Sequence, residues 1–246
     1  MTVLLGSRDA KSGEAAAQSL RLPNVRALQV DITDSASLAR AAEDIAKIDG
    51  GRLSLIVHNA GMAFKGDAFD ADVVDTTLRT NYYGTLNAIR AFLPVMHDGA
   101  RIVNVSSASS VSALRNMSAE LRAQFLDPSL SVDGLTALLQ QFRSAVASGT
   151  WKEQGWPNSA YGMSKVGVSC LTQIMARNKE LPRSITINCG CPGWCRTDMA
   201  GDKAPRSAEE GAADLVHICL LPEGDKSNGE FFENKKVSSL TRPAQQ

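Results

Sequence analysis

Five short runs of aliphatic and β-branched residues, at 2–5, 25–30, 53–58, 101–105 and 185–189, recur along the chain with longer amphipathic stretches between them. Strand-length apolar runs alternating with helix-length patterns are the signature of βαβ units, so the chain is expected to build a parallel sheet with helices on its faces. After an Asp34/Ser35 cap, Leu38, Ala41, Ala42, Ile45 and Ile48 fall at helical spacing, and Val168, Leu171 and Met175 form a similar stripe. Ser207 to Glu210 reads as a capping box opening a helix to about Leu221, which Pro222 and Gly224 stop. The interval 112–157 breaks the alternation. It carries two capped helical patterns, Ser118 before Leu121 and Phe125, and Ser131 before Leu135, Leu138, Leu139, Phe142 and Val146, with no strand, and is expected to be a helical insertion.

At 246 residues the chain fits one α/β domain, 1–246. Lys plus Arg, 26, equals Asp plus Glu, 26, which argues against a nucleic-acid-binding surface. No run of about 18 apolar residues exists and no basic, apolar leader opens the chain, so a soluble cytoplasmic protein is expected. Cys170, Cys189, Cys191, Cys195 and Cys219 lack both a disulfide framework and a zinc spacing, and His58, His97 and His217 lie far apart; reduced thiols and no metal are expected.

Tyr161 and Lys165 lie four residues apart and share one face of an expected helix. Ser107 follows a strand, at the carboxyl end where open α/β sheets bind ligands. Asn59-Ala60-Gly61 ends another strand, Asn81-x-x-Gly84 lies between the two, and Pro192-Gly193 follows the fifth. In this order and spacing these motifs resemble the short-chain dehydrogenase/reductase family. The 54-residue separation of Ser107 and Tyr161, with Gly155-Trp156-Pro157 and Cys191-Pro192-Gly193-Trp194, is similar to its NADPH-dependent carbonyl reductase branch.

The resemblance implies a Rossmann-type doubly wound sheet, NADPH/NADP+ as cofactor, a small-molecule carbonyl as substrate and a monomer. Carbonyl reduction needs a proton donor beside the hydride source. Tyr161 is the expected acid, Lys165 the cation favouring its phenolate and holding the nicotinamide ribose, Ser107 the hydrogen-bonding group for the substrate oxygen, and Asn81 the fourth member, holding a water that connects the lysine to solvent. Asp31 and Ile32 match the adenine contacts and Asn59 the turn near the adenosine ribose. Arg8 stands where an arginine pairs the 2′-phosphate, although Asp9 could pair with it instead. Cys195 and Thr197 are expected on the cofactor side. Cys191 and Trp194 are expected on the substrate side; for Cys191, Trp194 and Trp156, core packing is an equal alternative.

One family feature is missing. No two glycines are two positions apart, so the T-G-x-x-x-G-x-G turn that precedes the phosphate-binding helix is nowhere in the sequence. The chain aligns from the family's second strand, and roughly 30 residues, one strand and its helix, are lacking. Because that strand is central, its neighbours at 2–5 and 53–58 are expected to lose a partner. Met1 is therefore expected not to be the natural start, or the chain to be a shortened product. The alternative to an active reductase is a truncated, catalytically inactive paralogue with a binding role or no retained role.

Overall fold

The computed structural model describes residues 1–48, 50–66, 68–178, 180–182 and 184–242. The expected alternation is realised as β1 (Val3–Ser7), α1 (Ala10–Ser19), β2 (Val25–Gln29), α2 (Ser35–Lys47), β3 (Leu53–His58), α3 (Ala71–Leu78), a π-helical turn (Arg79–Tyr83), α4 (Gly84–Phe92) and β4 (Met96–Val105). There follow α5 (Ala108–Asn116), α6 (Ala119–Phe125), α7 (Val132–Ala147), α8 (Ala160–Arg177), β5 (Thr186–Cys191), α9 (Ala208–Cys219), β6 (Phe231–Glu233) and β7 (Lys236–Ser238). Asp34 caps α2, Ser118 caps α6, Ser131 caps α7, and Ser207 with Glu210 forms the capping box of α9. No helix among the described residues is long and apolar enough to cross a membrane.

The sheet is broken. β1 and β2 form a two-stranded parallel ladder, while β3, β4, β5 and β6 form a parallel ladder that β7 closes in antiparallel fashion. Among the described residues no strand joins β1 to β3. The two ladders nevertheless share one helical layer. Leu4, Leu28 and Val30 from the first and Leu53 and Ile56 from the second pack against Leu38, Ala41, Ile45, Ala88 and Phe92 of α2 and α4.

The opposite face is discontinuous. α1 lies on the first ladder so closely that a Cβ at Gly13 would stand 2.8 Å from Ser7 Cβ. α9 covers the second ladder through Leu215, Ile218 and Cys219, which pack with Val103, Val105 and Leu55. Val57, two residues beyond Leu55 on the same face of β3, the edge strand of this ladder, is 40% exposed.

The main core lies on the face shared by α3, α4 and α8. α8 is buried almost all round because the sheet, α5 and the insertion enclose it. The insertion is fastened by an aromatic chain: Phe142 lies 6.2 Å from Phe69 and 5.5 Å from Trp156, and Trp156 lies 6.1 Å from Phe125. Trp156 packs in the core.

Candidate active site

β4 delivers the chain to Ser107, which caps α5: its Oγ accepts the Ser109 N–H at 3.1 Å and lies 3.2 Å from Ser109 Oγ. Across from it, the first two turns of α8 carry Tyr161 and Lys165, held by the Ser159 cap on the Gly162 N–H. Lys165 is buried, and its Nζ donates to the Val105 carbonyl at 2.7 Å, 5.7 Å from the centroid of the Tyr161 ring. Burial pulls the ammonium down to about 8.

Burial pushes the Tyr161 phenol above its ordinary value, and the nearby Ser107 hydroxyl opposes the shift. The ammonium is drawn to the Val105 carbonyl, and desolvation of the ring is the dominant influence on the phenol.

Asn81 lies in the π-helical turn, a local widening that often marks a functional site. Its Nδ2 donates to Met62 O at 2.8 Å and to Ser164 Oγ at 2.9 Å, and its Oδ1 accepts the Met62 N–H at 2.8 Å. The side chain therefore clamps the loop after β3 to α8, and its main-chain carbonyl accepts Thr85 Oγ1 at 2.8 Å. Two glycines owe their identity to this packing. A Cβ at Gly61 would stand 3.2 Å from Asn81 Oδ1 and 3.7 Å from Lys165 Nζ, and one at Gly84 would stand 2.8 Å from Ile32 Cδ1.

At the other end of the strand tips, Asp31 Oδ1 accepts the Thr33 N–H at 2.8 Å and the Thr33 hydroxyl at 2.7 Å. These bonds, then Arg8 and Arg79, hold its carboxyl below the usual range. Asp9 caps α1, its Oδ1 accepting the Ser12 N–H at 2.7 Å, and among the described residues it forms no ion pair with Arg8. Asn59 is exposed just beyond β3. Beyond β5, Cys191 Sγ accepts the Ala108 N–H at 3.1 Å and the Gly193 N–H at 3.3 Å, and burial raises its thiol. Cys195 turns inward: its thiol donates to Pro192 O at 3.2 Å, and a Cβ at Gly211 would collide with it. Thr197 and Trp194 stand exposed on the same loop.

Residues 1–122 match the family described as enoyl-(acyl carrier protein) reductase, and residues 145–208 match short chain dehydrogenase. Carbonyl reductase (NADPH) 1 of Mus musculus and that of Homo sapiens are each 39% identical over 243 residues, covering 96% of this chain and 87% of the relative. The chain belongs to the short-chain dehydrogenase/reductase family. Among solved structures, salutaridine reductase from Papaver somniferum is 27% identical with a TM-score of 0.84, covering 95% of this chain and 91% of that one. Menthone neomenthol reductase from Mentha piperita is 28% identical with a TM-score of 0.75, covering 94% and 89%.

Against the short-chain reductase pattern, the structure brings Ser107, Tyr161, Lys165, Asn81 and Cys191 together at the carboxyl ends of β4 and β5. Arg8, Asp31 and Ile32 gather at the end of the β1–β2 ladder. Cys195 lies on the loop after β5, its thiol donating to the Pro192 carbonyl. Sequence reasoning missed Arg79. Its signal was its place two residues before Asn81, on the turn whose Gly84 meets Ile32. The five cysteines are free, and among the described residues no cluster of His, Cys, Asp or Glu could hold a metal ion.

Proposed function

We propose that the protein reduces carbonyl compounds (ketones, aldehydes or quinones) to alcohols with NADPH, as a cytoplasmic monomer whose single domain spans 1–246. The observation that carries this reading is the buried Lys165 one helical turn from Tyr161, with Ser107 beside the phenol. NADPH, when bound, supplies the hydride.

The residues present suit the two ends of such a dinucleotide. Arg8 and Arg79, both near Asp31, would offer cations to a 2′-phosphate, Asp31 and Ile32 would border the adenine, and Asn59 would border its ribose. At the other end, Lys165 and Tyr161 would hold the nicotinamide ribose and Thr197 the carboxamide. The middle has no Gly-rich backbone cradle among the described residues.

Ser107 Oγ would hold the substrate oxygen, and Tyr161 Oη would pass its proton to the alkoxide as charge develops there. A phenol kept protonated by burial is suited to act as this acid. Lys165, titrating at about 8, remains mostly charged at neutral pH and would stabilise the phenolate left behind. Cys191 and Trp194 would flank the carbonyl.

A second reading, a truncated and inactive paralogue, draws on the split sheet and the missing cradle. Titration of the 246-residue protein with NADPH, followed by NADPH oxidation with a quinone, separates the two. Saturable binding with turnover that falls at least 100-fold in Tyr161→Phe supports the reductase. Folded protein that neither binds nor turns over establishes the second reading.

A further inference from the structure

The loop between β5 and α9 carries Trp194 and Thr197, yet both are exposed and neither anchors it. The anchor is Arg206. One Nη donates to the Pro192 carbonyl at 2.9 Å and to Asp214 Oδ2 at 2.7 Å, while the other donates to the Glu210 carbonyl at 3.0 Å. Asp214 is buried on α9, so the ion pair ties the loop to a rigid element of the sheet's cover. The guanidinium lies tightly over the Pro192–Gly193 turn. Gly193 has a φ of +81°, and a Cβ there would stand 2.7 Å from Arg206 Nη1. The backbone joins the same point, since the Arg196 N–H donates to Arg206 O at 2.9 Å and the Arg206 N–H to Trp194 O at 3.3 Å. Arg206 thus closes the loop at its base, and the Gly193 N–H it stabilises is one of the two donors on Cys191 Sγ.

We infer that Arg206, held by Asp214, is a positioning residue that fixes the Pro192–Gly193 turn and through it the placement of Trp194 and Thr197 over the reaction centre. It touches neither substrate nor cofactor. Its effect on rate rests on the reductase reading; its effect on the loop does not. A planar guanidinium can reach three acceptors at once, whereas a lysine ammonium at this place can keep the charge pair with Asp214 but not span the Pro192 and Glu210 carbonyls as well. Stability and positioning can therefore be separated by substitution.

The test compares wild type, Arg206→Gln and Arg206→Lys by hydrogen–deuterium exchange, thermal melting and steady-state reduction of a quinone. Arg206→Lys is expected to melt near wild type, while the amides of residues 193–197 exchange at least tenfold faster and those of α8 are unchanged. Its kcat should fall about 10- to 100-fold with KM changed less than threefold, the cost of misplacing reacting groups by about an ångström. Arg206→Gln should show the same exchange and kinetic pattern with a lower melting temperature; if it does not fold, Arg206→Lys decides alone. In the double variant with Thr197→Ala, the two losses should not multiply, because both act through one loop. Wild-type exchange and kcat in Arg206→Lys, or losses that multiply, overturn the inference. A wild-type protein that turns over no carbonyl refutes the reductase reading, and the exchange comparison then decides the loop anchor by itself.

Discussion

His58 makes the stability of this fold sensitive to mild acid. Its Nε2 is buried without a hydrogen-bond partner at the end of β3, beside its register partner Asn104, whose Oδ1 is likewise unpartnered. Burial lowers the imidazole from 6.5 to about 4, so the folded protein holds it neutral while the unfolded chain protonates it near 6.5. The neutral ring's contribution is fully present above about pH 6.5 and is lost as pH falls towards 4. Linkage gives a loss of about 2 kcal/mol by pH 5 and about 3 kcal/mol by pH 4. For a chain of this size, the pH 5 loss corresponds to a fall in Tm of about 4–8 °C. Asp9, Asp31 and Asp75, held below the usual carboxylate range, add their own losses at lower pH, equally in any His58 variant. Urea unfolding of wild type and His58→Gln at pH 7, 6 and 5 isolates the term: the wild type should lose about 2 kcal/mol more than the variant. Parallel curves for the two proteins between pH 7 and 5 would refute the reasoning.

Two further outcomes concern packing and capping. Phe142→Ala removes a fully buried ring that links Phe69 to Trp156 and should cost about 3–5 kcal/mol by urea unfolding; a loss below about 1.5 kcal/mol would mean that the insertion is not held by this cluster. Ser207→Ala breaks the reciprocal capping box on α9, where Ser207 Oγ accepts the Glu210 N–H at 3.2 Å and Glu210 accepts the Ser207 N–H at 2.6 Å, and should cost about 1 kcal/mol in the same assay, an unchanged midpoint counting against it.

Much of the architecture was legible because its signals are local. The β3 run at 53–58 is met residue for residue, and the caps at Asp34, Ser118, Ser131 and Ser207 all hold. α1 was not legible from hydrophobic periodicity, because its buried face consists of Gly13 and Ala17, too small to make a stripe. α5 begins immediately after Ser107 with a serine-rich turn that reads as loop. The motif order brought Ser107, Tyr161 and Lys165 to one place. What it did not carry was their electrostatics: the carbonyl that takes the Lys165 ammonium belongs to Val105, 60 residues away, and backbone acceptors leave no mark in side-chain motifs. Arg206 escaped notice for a related reason, since two of its three acceptors are carbonyls and the third, Asp214, lies on the buried side of a helix.

The break between β1 and β3 divides the proposed cofactor-binding residues as well as the sheet. Arg8 and Asp31 belong to the N-terminal ladder, Tyr161 and Lys165 to the other, and between β1 and β3 no ladder hydrogen bond runs among the described residues. The ladder made by β1, α1 and β2 is held through side chains on α2 and α4, so it can open as a cooperative unit of its own at less cost than the rest of the fold. A dinucleotide reaching from Arg8 to Lys165 would bridge the two units. Its affinity and the order of the N-terminal ladder are then thermodynamically coupled, and whatever steadies one tightens the other.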